Sequence, residues 1–346
     1  MPSVDQNRVA WEGYHWSDGG EEWSNKWGGS RMQWYGTLLP RLRSFLPAAT
    51  ILDLAPGFGR WSYFLKDWAE RLVLVDMSEK AIRGAHERLA SFPNVSFHLN
   101  DGKSLAVIED RSVDLVFSFD SLVHVEADVI EGYVDEIAAK LKPDGVAFIH
   151  HSNLAAFRRG AAIQGWMAAK CPSLLKFLVQ SRLVDNIATQ WRGASMSADK
   201  MSRFAAKAGL NVCSQELITW TSRRAVIDCI TTLTPKGSRW ERPTRRFTNP
   251  RFMRDADTWS SLAHLYDYGD DEAAALGRTG TLSSERRFRP AVGDVWSGLG
   301  ACPGTGSSEP RNHEGLGFLP NRTTKVEPLP GVDVTSIEPP SSVTMP

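Results

Sequence analysis

Net charge, sulfur and long apolar runs are all in short supply in this sequence, and each shortage removes a class of function. Lys+Arg and Asp+Glu both number 40, so no overall field draws in nucleic acid. There are only four cysteines, Cys171, Cys213, Cys229 and Cys302. They form no CxxC pair and have no histidine cluster at ligand spacing, so neither a zinc site nor a disulfide framework is expected. No apolar run approaches the roughly 20 residues that span a bilayer, and the first residues lack the apolar core of a secretion signal. These shortages predict a metal-free cytoplasmic protein with no nucleic-acid partner and no membrane insertion.

Aromatic residues, by contrast, are plentiful. Thirteen tryptophans occur in 346 residues, and Trp11, Trp16, Trp23, Trp27 and Trp34 all precede the first strand-like segment. Two readings are open: an arm that packs its rings on the core, or rings that line a ligand pocket, where flat apolar faces suit sugars and adenine.

The chain falls into four parts. Residues 1–48 form the aromatic arm, with a helical stretch around Met32–Phe45 that Pro47 ends. Residues 49–240 alternate short apolar runs with helical segments. The runs are Thr50–Leu54, Arg71–Val75, Val95–Leu99, Val113–Phe117 and Gly145–His150, followed by Asn211–Thr219 and Ala225–Leu233. Unbroken apolar runs suit strands of a parallel sheet covered on both faces, and two adjacent final strands imply an antiparallel hairpin. The expected fold is α/β: a Rossmann-like seven-stranded sheet, mostly parallel with a C-terminal antiparallel hairpin, and helices on both faces. Residues 152–209, helical with a break at Cys171-Pro172, read as a cap insertion over the acceptor. Residues 241–269 form a C-terminal extension. Eight of the nineteen prolines fall in the last 46 residues, and 270–346 read as a disordered tail.

The sharpest motif is Asp53-Leu54-Ala55-Pro56-Gly57-Phe58-Gly59-Arg60, a tight turn after a buried strand. Gly57 and Gly59 let the backbone approach a ligand that a Cβ would block. Seventeen residues after Gly59, a second strand ends in Asp76, placed to accept bonds from both ribose hydroxyls. A pyrophosphate site wants three glycines, but Ala55 and Arg60 occupy the first and third positions, and Asp53 adds an unwelcome negative charge. The carboxylate suits an ammonium instead. Two quieter readings stand beside these: Asp76 or Ser78 as a helix cap, and Asp101 as a turn former with Gly102.

In this order the motifs resemble the class I S-adenosylmethionine-dependent methyltransferases, over residues 50–233. The resemblance implies S-adenosylmethionine as cofactor. It assigns Asp53, Ala55, Gly57 and Gly59 to the methionine part, Asp76 with Met77 to the ribose, and Asp101 with Gly102 to the adenine. Phe119, in the segment Ser118–His124, would run beneath the methyl donor. The terminal hairpin is that fold's usual ending. A fainter resemblance, carried by the loop, Phe119–His124, Ile149–Asn153 and Trp191–Met196, points to methylation of sugars or glycans.

An alcohol acceptor must lose a proton, so a general base is needed. Candidates at strand ends are Asp120 and His124, then His150, His151 and Asn153. His124 is favoured, with His151 the runner-up, and a limb near the unperturbed histidine pKa of roughly 6.5 is expected in the pH–rate profile. His124 could instead support the following helix, with Asp128 orienting it or starting that helix. His150 and His151 are adjacent on a strand, so only one can easily face the site. The expected function is O-methylation of a small or polyhydroxylated acceptor. The alternatives are an N-methyltransferase, a nicotinamide oxidoreductase or a non-catalytic S-adenosylmethionine-binding module.

Overall fold

The computed structural model describes residues 3–265 apart from 182, 186, 188–190 and 221–223. The expected tail, 270–346, lies outside the described residues. Eight strands form one sheet: β1 (Ala48–Leu54), β2 (Ala69–Asp76), β3 (Val95–Leu99), β4 (Val113–Ser118), β5 (Leu141–Ser152), β6 (Leu210–Ile218), β7 (Asp228–Pro235) and β8 (Arg245–Asn249). Their order is β3-β2-β1-β4-β5-β7-β6-β8. β7 runs antiparallel to both β5 and β6, and every other pairing is parallel.

The apolar runs divide by side-chain parity. Leu72 and Leu74 of β2, Leu115 and Phe117 of β4 and Val146 and Phe148 of β5 enter one core. Val73 and Val75, Val116, and Ala147 and Ile149 enter the other. Successive side chains on a strand point to opposite faces, so a continuous apolar run fills two cores at once. Trp34, Leu38 and Leu42 of the N-terminal segment cover the first face, with Ala85 and Leu89 of the helix Glu79–Leu89. The helices Ala127–Lys140 and Ala198–Lys207 cover the second through Ile130, Ile137 and Met201.

Seven strands match the expected alternation, and the eighth differs from it. β8 lies in the segment expected to be only an extension, pairing with β6 over Ser214–Ile218. Its residues Arg245-Arg246-Phe247-Thr248 are all exposed, so it has no apolar signature. It is a polar edge strand. β5 also begins earlier than the expected Gly145, at Leu141, and takes in the Lys142–Gly145 stretch. The Ser30–Phe45 helical segment passes through Pro40, with a wide π-type turn over Trp34–Leu38. Proline cannot donate to the preceding turn, and the widened turn accommodates it.

Phe117 is fully buried and lies parallel to Phe148, with ring centroids 5.8 Å apart. Phe117→Ala should cost about 3–5 kcal/mol of stability, measured as a shift of the denaturant midpoint with an unchanged slope.

Candidate functional site

The carboxyl ends of β1, β2 and β4 open into one cleft, which encloses about 1070 Å³ with its mouth. Ligand sites in open α/β sheets form at this edge. Asp76, Met77 and Gly102 line one end, Ala55 and Gly57 the floor, and Phe119, Asp120 and His124 the other end.

Asp76 organises the first end. Its carboxylate accepts the Gly57 N–H at 3.1 Å and the Ser78 N–H at 2.9 Å. It is not the helix cap, because Ser78 Oγ holds that position by accepting the Ala81 N–H at 3.0 Å. Burial raises the Asp76 pKa to about 6. Gly57 has φ +57°, and a Cβ there would come within 3.1 Å of the Trp16 ring. Ala55 adopts φ +58° despite its side chain. It is held by its N–H to Val75 O at 2.8 Å and by Ser121 Oγ donating to its carbonyl at 2.6 Å.

Five expected site residues lie outside the lining of the cleft. Asp53 is 2% exposed beneath the loop, where it accepts a bond from Ser62 Oγ at 2.5 Å, and burial raises its pKa to about 7. Gly59 serves packing, since a Cβ there would meet Leu89 at 3.1 Å. Asp101 is an exposed turn residue whose Oδ1 accepts the Lys103 and Ser104 N–H groups at 2.8 and 2.7 Å. Its neighbour Asn100 lines the cleft in its place, donating to Tyr133 Oη at 3.2 Å. His151 is fully buried, and both its ring nitrogens are occupied, by Ser152 O and Thr231 Oγ1. It is structural, as is Asn153, which bonds Val226 O and the Ala198 N–H.

At the other end, Asp120 is paired. Arg60 Nη2 lies 3.0 Å from its carboxylate, and Arg60 Nη1 donates to Ser24 Oγ at 2.9 Å. Asp120 itself has φ +65°, and its N–H donates to His150 Nδ1 at 3.1 Å. The Nε2 of His150 faces Asp228 at 3.4 Å, and Arg192 Nε grips Asp228 at 3.0 and 3.2 Å. Burial alone would raise the Asp228 pKa, but Arg192 and His150 hold it below the usual carboxylate range. Arg192 lines the cleft. This network escaped the sequence reading, although a lone acid in the apolar run Val226-Ile227-Asp228-Cys229-Ile230 was a signal for it.

His124 packs against the stacked pair Trp11 and Trp191, each ring centroid 5.2 Å from its own. Its Nδ1 contacts Trp191 O. A carbonyl can only accept, so Nδ1 carries the proton and Nε2 keeps its lone pair. Burial, reinforced by Arg192, lowers its pKa to about 3. The ring therefore favours its neutral form, and a limb that it contributes to the pH–rate profile is expected below the roughly 6.5 of a free imidazole.

Both readings of the aromatic arm hold, for different rings. Trp27 and Trp34 are 1% exposed in the core, while Trp11, Trp16 and Trp23 wall the cleft. The arm is tied down by Lys80 Nζ, which donates to Glu12 O and Tyr14 O, and by Arg88, which donates to Gly19 O and pairs with Glu21. Asn7 Nδ2 donates to His124 O at 3.1 Å.

The residues present fit S-adenosylmethionine. Asp76 and Asn100 suit the ribose and adenine, and the cleft gives no cluster of cations for a pyrophosphate. Three buried polar atoms on its wall, Asn7 Oδ1, Trp16 Nε1 and Trp61 Nε1, have no partner among the described residues. Unpartnered buried polar atoms are rare in folded proteins, and here three belong to residues that line the cleft.

Comparison with known proteins agrees. Residues 51–145 match the family model described as a methyltransferase domain. Over 118 residues the chain is 31% identical to phosphoethanolamine N-methyltransferase 1 of Triticum aestivum, covering 33% of this chain and 24% of that protein. A second wheat phosphoethanolamine N-methyltransferase is 31% identical over 117 residues, with 23% of it covered. The chain thus spans about a quarter of the length of these curated relatives. Among solved structures it is similar to the N-methyltransferase NodS of Bradyrhizobium japonicum (14% identity, 60% of this chain and 97% of that one, TM-score 0.42). It is also similar to an S-adenosylmethionine-dependent methyltransferase of Clostridium acetobutylicum (13%, 59% and 91%, TM-score 0.42).

Asp76→Ala should weaken S-adenosylmethionine binding about tenfold to a hundredfold, the worth of a charge-assisted hydrogen bond, by calorimetry. For the wild type, the ionised carboxylate accepts ribose hydroxyls and the protonated form accepts them poorly. Affinity should therefore be full above about pH 6, the raised Asp76 value, and fall as pH drops through it. A wild-type affinity in Asp76→Ala would remove this residue from the site.

Proposed function

We propose, from the methyltransferase-domain match over residues 51–145 and the cleft that fits S-adenosylmethionine, that the chain uses this cofactor to transfer a methyl group to a hydroxyl of a small, polyhydroxylated acceptor, a sugar or glycan. The observation that carries this is His124, a neutral imidazole on the wall of the cleft that Asp76 organises.

When bound, S-adenosylmethionine supplies an electrophilic methyl carbon on a cationic sulfur. What the chain must then do is hold an acceptor oxygen about 3 Å from that carbon and in line with the sulfur. His124 Nε2 accepts the acceptor's O–H and so orients its lone pair. As the new C–O bond forms, the oxygen turns strongly acidic, and even an imidazole of lowered basicity takes its proton. Arg60–Asp120 and Arg192–Asp228–His150 keep fixed charges around the acceptor end without offering a free base. Trp11, Trp23 and Trp220 give the flat walls that sugar rings favour. The segment 152–209 caps the acceptor, supplying Trp191 and Arg192. Among the described residues no helix is long and apolar enough to cross a membrane, and we assign the protein to the cytoplasm.

A second reading, methylation of an amine, is favoured by the names of the wheat relatives. There His124 Nε2 would accept an amine N–H, and the aromatic walls would hold a methylated ammonium by cation–π contact.

Labelled S-adenosylmethionine offered to pools of sugar nucleotides, glycolipids and amines should label a hydroxyl product; label only on amines selects the second reading. With that acceptor, His124→Ala should lower kcat by roughly 10²–10⁴ with cofactor affinity nearly intact. Wild-type kcat should be level from pH 6 to 8, since His124, at about 3, does not titrate there. Unchanged turnover in His124→Ala would make catalysis here positioning alone.

A further inference from the structure

Two helices of the 152–209 segment turn large apolar side chains outward. The helix Arg158–Lys170 buries Gln164, whose amide donates to Asp185 O at 2.6 Å and accepts the Ile187 N–H at 2.9 Å. Its Ile163 and Trp166, three residues apart and so on one face, are 60% and 61% exposed. In the helix Pro172–Gln180, Leu175 is buried, while Leu174 and Phe177 are 51% and 61% exposed. Leu183 follows at 65%. Single exposed apolar residues need no account, but five large ones within about twenty residues mark a binding surface.

Charge on this stretch is one-sided as well. Residues 152–184 contain no Asp or Glu, in a chain with 40 acidic residues. Arg158, Arg159, Lys170 and Lys176 are all exposed, and none joins an ion pair among the described residues. The balanced total charge thus hides a local cationic face studded with aromatic and aliphatic side chains.

We propose that this two-helix face docks peripherally on an anionic lipid bilayer. Trp166, Phe177, Ile163 and Leu174 enter the interface, and the four cations meet lipid phosphates. Exposed rings together with basic residues are what an interfacial helix requires, and each cation near such a surface strengthens binding several-fold. A second copy is disfavoured, because a two-fold contact would bring the same uncompensated cations face to face. The docking does not depend on which acceptor is methylated.

The test is co-sedimentation of the full chain with vesicles of phosphatidylcholine alone or with added phosphatidylglycerol. The expected result is binding to the anionic vesicles only, released by salt. Lys170→Glu/Lys176→Glu and, separately, Trp166→Ser/Phe177→Ser should each weaken it by about tenfold or more. Melting temperatures should stay at the wild-type value, because these side chains are exposed. Absence of vesicle binding would overturn the proposal, as would binding that neither double variant alters. A concentration-dependent dimer lost in Trp166→Ser/Phe177→Ser, without vesicle binding, would overturn it in favour of self-association.

Discussion

One buried carboxylate links the parts of the cleft to each other. Asp76 reaches back from the end of β2 to the Gly57 N–H and forward to the Ser78 N–H, tying the first loop to the second strand and to the helix that follows. Without that tie, the Gly57 backbone would have no partner for its N–H at the base of the cleft, and Ala55 would hold an unfavourable conformation with less support. Isolated burial of a charge is costly, and two aligned N–H donors reduce that cost while leaving lone pairs for a ligand. The raised pKa is the residue of this conflict.

The acceptor end solves a similar problem with ion pairs. Arg60–Asp120 and Arg192–Asp228 each place a guanidinium against a carboxylate where little water reaches, and His150 links the two pairs through the Asp120 N–H and the Asp228 side chain. Such networks stabilise little when set against apolar packing, but breaking one partner strands the other. Their use here is to hold polar groups in fixed directions around a cleft that would otherwise be aromatic. Against that fixed background His124 is the exception: a ring that burial keeps from charging, with no partner for Nε2 among the described residues.

How much of this was legible follows from which signals are local. The parity of Leu72-Val73-Leu74-Val75 or Phe117 and Phe148 reports two covered faces without reference to any distant residue, and the strands were found. Gly57 and Asp76 were legible because loop and strand end recur at a fixed spacing. Asp101 and Asn100 were not separable, since adjacent residues after a strand differ only in where the turn points them. His150 and His151 posed the same ambiguity, and pairing with Thr231, eighty residues away, settled it. Asp228 and Arg192 carry meaning only as a pair, which no spacing announces. β8, with its polar, exposed side chains, has no apolar periodicity to find.

The N-terminal arm is also part of the binding surface. Trp11, Trp16 and Trp23 form part of the wall of the cleft, Trp27 and Trp34 anchor the arm in the core, and Lys80 and Arg88 of one helix hold the stretch between Glu12 and Glu21. One face of the cleft is therefore made by chain that precedes the sheet in sequence, held in place by contacts made outside the cleft. Lys80 and Arg88 thus shape the cleft from outside it, since neither is among the residues that line it.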